Sequence, residues 1–221
     1  TGSARVVDAP LPWQRSDWER LRARNADQRL HHAVLLSGPG GIGKRVLADL
    51  LVRSILCRNP DRGQACGQCR DCQLVAAGSH PDLHLLMPAS LRGLYGGAAQ
   101  ADDETADGAK TRKKPSRQIR IDEVRAAIDW VVQSSSRGRA KVVVLHPAEA
   151  MNSNSANALL KTLEEPTDKL LFILVTHKPQ QLLPTILSRS LSCAIPMPTR
   201  EEGASWLKQQ GVADPETALA Q

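Results

Sequence analysis

The chain has 221 residues, 41% of them hydrophobic and 24% charged, which suffices for one full α/β domain and part of a second. No run approaches the roughly 18 apolar residues of a membrane span, and the opening "TGSARVVDAPLPW" lacks the apolar core of a signal peptide, so the expected location is the cytoplasm. The net charge of +6 permits a nucleic-acid partner without demanding one, because a solvated basic surface has the same composition.

Aromatic residues are only 3% of the chain, so the core must rest on Leu, Val, Ile and Ala. "WQRSDWERLRARNADQRL" predicts a surface helix with Trp13, Trp18 and Leu21 inward and Arg15, Arg20, Arg22 and Arg24 toward water. "HAVLLS" (32–37) is a short apolar run stopped by Gly38 and reads as a buried strand. Val46, Leu47, Leu50 and Leu51 then recur at helical spacing, a cysteine-rich knuckle follows at 57–72, and "DLHLLM" (82–87) reads as another strand. Residues 89–117 are small, polar and charged, an acidic block before a basic one, and cannot bury enough apolar surface to offset their ordering entropy. They predict a mobile insertion loop. Its basic end (Lys110, Arg112, Lys113, Lys114 and Arg117) reads as a solvated linker, with contact to DNA the alternative.

Beyond the loop, Val124, Ala127, Ile128, Val131 and Val132 mark one face of a helix. "KVVVLH" (141–146) is a strand, and "LLFILVT" (170–176) is another. Between them Ala156, Leu159, Leu160 and Leu163 stand at i, i+3, i+4 and i+7, with Asn152 or Ser153 to cap the helix and Pro166 to end it. Continuous apolar strands alternating with helices imply an α/β fold, a mostly parallel sheet flanked by helices on both faces.

Gly38-Pro39-Gly40-Gly41-Ile42-Gly43-Lys44 matches G-x-x-x-x-G-K between a strand and a helix, the context a phosphate-binding loop requires. Glycines let backbone N–H groups approach phosphate oxygens, the helix N-terminus adds positive potential, and Lys44 would reach the β and γ phosphates. Gly38, Gly41, Gly43 and Lys44 are thus the candidate nucleotide-binding residues. Mg²⁺ in such sites needs a Ser/Thr hydroxyl after the lysine and an Asp ending a nearby strand. Arg45 has no acceptor oxygen, and His146 and Pro147 stand where the carboxylates should end "VVVLHP". Histidine is a poor ligand for that hard cation, and Glu149, beyond a proline, is expected to point elsewhere. No Mg²⁺ and no hydrolysis are expected, while binding of ATP stays open.

Cys57, Cys66, Cys69 and Cys72 give C-x8-C-x2-C-x2-C, a closed set of four thiolates suited to a tetrahedral structural Zn²⁺. Free thiols are the alternative. His80 and His84 are surplus to such a set, and Cys193 reads as a buried strand residue.

"HHAVLLSGPGGIGK", the four-cysteine knuckle, "GSHPDL", "NSANALLKTLEEP" and "LPTILSRS" follow one another in this order. On these motifs residues 12–200 resemble subunits of the bacterial DNA polymerase III clamp loader, members of the AAA+ family. The gamma/tau branch shares the knuckle and "ALLKTLEEP" but carries Thr after the lysine and an Asp-Glu pair at the strand end. Arg45, His146 and Pro147 therefore point to the delta-prime branch. The resemblance implies an AAA+ type P-loop domain over residues 1–197 and the beginning of a small helical lid over 198–221. The sequence stops at "DPETALAQ", within the expected lid, so the family's C-terminal helical collar is expected to be absent from it. The resemblance implies a stator in a ring that opens the sliding clamp and places it on primed DNA, with gamma/tau and delta subunits as partners. It further implies that Arg189 acts in trans on the ATP site of a neighbouring gamma/tau subunit. The Ser188-Arg189-Ser190 motif departs from the family's serine-arginine-cysteine at its third residue. From the residues alone, Arg189 reads as a surface arginine capping a helix end. Two other functions compete, an active ATPase of the gamma/tau kind and a stand-alone zinc-containing DNA-binding module. The knuckle lacks the interleaved basic and aromatic residues of the latter.

Overall fold

In the computed structural model, residues 9–93, 115–133 and 135–212 are described. Five strands, β1 (Ala33–Ser37), β2 (Leu83–Leu86), β3 (Lys141–Leu145), β4 (Leu170–Thr176) and β5 (Leu191–Ala194), form one sheet in the order β2-β3-β4-β1-β5. Every pairing is parallel, so all five carboxyl ends reach the same edge. In register, Val34 lies opposite Ile173 on β4 and Leu191 on β5, and Leu145 lies opposite Leu174.

Side chains alternate across a strand, so each strand feeds two cores. Val34, Leu36, Val142, Val144, Ile173 and Val175 face the helices α1 (Arg15–Ala26) and α2 (Lys44–Leu56). Ala33, Leu35, Val143, Leu145, Phe172 and Leu174 face α5 (Ile121–Val132) and α6 (Ser153–Glu164). Phe172, the single phenylalanine, is fully buried at the centre of the second core. Burying each such side chain stabilises by about 1.5–3 kcal/mol, which lets an aliphatic core of this kind hold the sheet.

The expected helices appear as α1, α2, α5 and α6 and the expected strands as β1 to β4, with differences that have local causes. Trp18 and Leu21 are buried on α1, whereas Trp13 belongs to a 3-10 turn (Pro12–Gln14) before it. Arg20 and Arg22 do not simply face water: Arg20 donates to Asp17 and to Cys193 Sγ at 3.3 Å, and Arg22 to the Arg62 carbonyl and to Glu19. On α5, Val124, Ala127 and Val131 are buried, but Val132 is 72% exposed, because at 3.6 residues per turn it swings off the stripe at the helix's last residue. Asn152, not Ser153, caps α6, its side chain accepting from Ser155 N–H at 2.8 Å.

The predicted loop 89–117 lies largely outside the described residues. Of its ends, Ala89–Arg92 form a helical turn, α4, and Ser90 N–H donates to the Ser116 carbonyl at 3.0 Å. After β5, α8 (Arg200–Gln209) starts on a capping box between Thr199 and Glu202 and rests on the N-terminal turn, with Trp206 edge-on to Trp13 at 5.9 Å. Residues 213–221 of the expected lid lie outside the described residues. No described helix is long and apolar enough to cross a membrane.

Candidate phosphate-loop site and metal centre

The loop 38–43 runs from the carboxyl end of β1 into α2. Its conformation requires glycine: at Gly43 (φ 78°) a Cβ would run into Leu11, and at Gly38 (φ 144°) it would lie 2.7 Å from the Ile195 carbonyl. The N-terminal turn braces the loop, because Trp13 Nε1 and the buried Gln14 Nε2 both donate to the Ile42 carbonyl, at 2.9 and 3.0 Å. The first N–H groups of a helix lack an acceptor one turn earlier and suit an anion; here Val46 N–H already donates to the Gly43 carbonyl at 2.9 Å, which leaves those of Lys44 and Arg45 for such a role. Lys44 is 2% exposed, and its ammonium folds onto the carbonyls of Gly38, at 2.8 Å, and Pro39. Burial pushes its pKa down, opposed by the charge of Glu149. Arg45, next in line, pairs through Nε with Asp49 Oδ1 at 2.7 Å along the helix.

Because β4 lies between β1 and β3, three strand ends meet beside this loop. His146 follows β3, is 3% exposed, and packs edge-on against His177, which follows β4, with ring centroids 5.6 Å apart. Burial first, then the cationic Arg45, holds His146 down at about 4; burial and Lys44 lower His177. Both rings are therefore neutral at pH 7. Glu149 does not point elsewhere. Its Oε1 accepts from His177 N–H at 3.0 Å and its charge reaches Lys44, His146 and His177, because a 3-10 turn (Ala148–Ala150) after Pro147 swings it back across the strand ends. Glu149, which the sequence reading set aside, and His177, which it did not single out, both belong to the site. The signal available was their position just past two apolar strands.

At the other end of α2, Cys57 caps the helix and begins the knuckle. Cys57 Sγ lies 3.5 Å from Cys66 Sγ and 3.9 Å from Cys69 Sγ, and all four sulfurs fall within 4.8 Å of one another. Tetrahedral ligation with Zn–S bonds of about 2.3 Å places sulfurs about 3.8 Å apart, so the donor set fits, and the spacing is far too long for a disulfide. The four thiols could hold a metal ion such as zinc. Backbone N–H groups of Cys66, Cys69 and Cys72 point at Cys57, Cys66 and Cys69 Sγ, at 3.3, 3.4 and 3.5 Å. Cys69 is also the N-cap of α3 (Arg70–Ala76). Against the opposing pull of desolvation, the N–H groups of Cys72 and Arg58 bring its thiol down to about 6, while burial pushes Cys57 and Cys72 up.

Buried charge ties the knuckle to the sheet. Asp71, 2% exposed, pairs with Arg137, with Arg58 at 3.4 Å and with His80 Nε2 at 3.5 Å. Against desolvation, the guanidiniums of Arg137 and Arg58 hold its carboxyl below the usual range, while burial lowers the pKa of His80. Asp82, 1% exposed, gathers the turn before β3, accepting from the N–H groups of Ser136 and Arg137 at 2.7 and 2.9 Å and from Ser135 Oγ. His80 and His84 stand outside the sulfur cluster, as expected: His80 Nδ1 accepts from Asp82 N–H at 3.1 Å, and His84 packs on Trp130. Cys193 is buried on β5, as expected, and burial lifts its thiol to about 11.

Arg189 ends α7 (Pro184–Ser188) and is not free. Its Nη2 pairs with Glu164 Oε1 at 2.7 Å, and its Nη1 donates to the Thr185 carbonyl at 3.2 Å, in the helix-capping manner read from the residues alone.

Strand, glycine loop and helix at the carboxyl edge of a parallel sheet of this order define a P-loop fold of the AAA+ type. A family profile described as "DNA polymerase III, delta subunit" matches residues 13–199. DNA polymerase III subunit delta' of Pseudomonas aeruginosa is 42% identical over 210 residues, covering 94% of this chain and 55% of that protein. Its Escherichia coli counterpart is 33% identical, covering 95% and 55%. A solved gamma subunit-related protein of DNA polymerase III from Thermotoga maritima shares the fold with a TM-score of 0.53 at 21% identity, over 87% of this chain and 49% of that one. The chain belongs to the delta-prime family of DNA polymerase III subunits, the clamp-loader family, and spans about half the length of the relatives named here.

Proposed function

We propose that the protein is a non-hydrolysing stator of the DNA polymerase III clamp loader, helping to place the sliding clamp on primed DNA in the cytoplasm. The observation that carries this reading is the side-chain set at the phosphate loop. Arg45 turns to Asp49 where a hydroxyl would ligate Mg²⁺, and a neutral His146 followed by Pro147 stands in place of the carboxylate pair. Among the described residues beside the loop, Glu149 offers the carboxylate, displaced from the strand end; its Oε1 accepts from His177 N–H, and its Oε2 is buried without a hydrogen-bond partner. Gly38, Gly41, Gly43 and Lys44 retain the loop's backbone, so phosphate or nucleotide binding without turnover is compatible with this reading.

The partners are the gamma/tau and delta subunits, met through the AAA+ domain (residues 1–197) and the lid that α8 begins. Arg189 is supplied in trans to ATP on the neighbouring gamma/tau subunit. There a guanidinium stabilises charge developing on the transferred phosphoryl group, an effect worth about 10³ to 10⁵ in rate at comparable sites. Cys57, Cys66, Cys69 and Cys72 hold one structural Zn²⁺ that fixes the knuckle and takes no part in chemistry.

The test has two arms. The isolated protein with ATP and Mg²⁺ gives no turnover above a buffer blank; turnover abolished by Lys44→Ala overturns the non-hydrolysing reading. In a reconstituted loader with the full-length protein, Arg189→Ala leaves assembly intact and lowers clamp- and DNA-stimulated hydrolysis. Unchanged hydrolysis in an assembled complex overturns the trans role.

A further inference from the structure

Glu164 is the last residue of α6, and Glu165 follows it. Two carboxylates at the negative end of a helix dipole are unfavourable where they stand, so helix stability gives no reason for Glu164. Its partner lies on another element: Oε1 is 2.7 Å from Arg189 Nη2. The other amino group of Arg189, Nη1, donates to the Thr185 carbonyl at 3.2 Å and lies 3.4 Å from Ser188 Oγ. Both amino groups of the guanidinium are thus engaged within the chain. The side chains of Arg189 and Glu164 are nevertheless 35% and 48% exposed, so water and an incoming anion can reach the pair. An ion pair of this exposure biases an equilibrium by at most about fivefold.

A carboxylate and a terminal phosphate compete for the same guanidinium fork, and the phosphate brings more charge and a third oxygen. We propose that Glu164 is a latch for Arg189, a positioning residue that parks the guanidinium against α6 until the terminal phosphate of a nucleotide on a neighbouring subunit displaces it. The latch rests on the trans-acting role proposed above for Arg189. It adds a regulation: the neighbour's nucleotide must first break the Glu164 pair, so Glu164 weakens nucleotide engagement and makes it depend on how closely the subunits approach.

The experiment uses the full-length protein in a reconstituted loader with ATP as the probe. Glu164→Gln keeps the shape and removes the charge. It should lower the apparent KM for ATP in stimulated hydrolysis by about two- to fivefold, with the change falling on KM rather than kcat. Glu164→Asp, one methylene shorter and still charged, should lie between Glu164→Gln and the parent, and it serves where the Gln variant fails to assemble. In an Arg189→Ala background, Glu164→Gln should have no further effect on KM. A KM unchanged or raised by Glu164→Gln, while Arg189→Ala still depresses hydrolysis, overturns the latch and leaves the arginine's role standing. A KM effect of Glu164→Gln that persists without Arg189 overturns it as well. If Arg189→Ala changes nothing in an assembled complex, the trans role itself fails and the latch falls with it.

Discussion

Helix α2 carries a different site at each end. At its N-terminus the phosphate loop keeps its backbone without the side chains that would hold Mg²⁺; at its C-terminus the knuckle keeps a complete ligand set. The loop is built from the domain's own packing: Gln14 is fully buried, Leu11 and Ile42 are core residues, and Lys44 closes on the loop carbonyls. Its shape therefore survives without a ligand. Within the knuckle, no large apolar residue from 58 to 71 is buried, so the Asp71 pair, with whatever metal the four sulfurs could hold, stands in for a core. A loop braced by packing takes its shape from the surrounding core, whereas an excursion without buried apolar residues must draw on polar and charged contacts.

Metal removal should sharpen this contrast most. Structural zinc in small peptides contributes on the order of 10 kcal/mol of apparent binding energy. Purified protein should contain one zinc per chain, and stripping it, or Cys72→Ser, should open residues 57–76 to hydrogen exchange while β1, β3 and β4 stay protected. Equal protection of the knuckle with and without metal would break the contrast.

A smaller effect is expected at the joint between knuckle and sheet. Arg137→Met leaves the buried Asp71 with only Arg58 at 3.4 Å and His80 at 3.5 Å. Breaking a buried pair from one side costs about 3 kcal/mol or more, and the remaining partners place this case at the low end. Urea denaturation measures it, and a loss well under about 1 kcal/mol would mean that Arg58 already suffices.

At the phosphate-loop end the expected effect appears with acid. His146 titrates at about 4 in the folded chain against an ordinary 6.5. Below 6.5 the unfolded chain takes up a proton that the folded site refuses, so stability is undiminished above 6.5, falls as pH drops, and levels off near 4. The full loss is on the order of 3 kcal/mol. His146→Gln should remove about one proton from the pH dependence of unfolding in that window. An unchanged slope would show that His146 stays wetter than its 3% exposure implies.

The sequence by itself determined strands β1 to β4, helices α1, α2, α5 and α6, the phosphate loop and the four sulfurs. Each is a local pattern: apolar runs, a 3.6-residue stripe, glycines before a lysine, cysteines three residues apart. Arg45, His146 and Pro147 were legible as departures because their expected counterparts sit at fixed offsets. The tertiary structure decided which distant groups meet. Glu149 and His177 are 28 residues apart, and Asp71 and Arg137 are 66 apart. Nothing in the chain order announces that β4 separates β1 from β3, or that α6 ends beside α7. Placing β3, β4 and β1 side by side with parallel carboxyl ends brought Glu149 back to Lys44, and packing α6 on α7 set Glu164 against Arg189. Hydrophobic periodicity fixes which face of an element is buried, but it carries no information on which neighbour covers that face. Charge pairs between elements therefore become readable only once the sheet order is known.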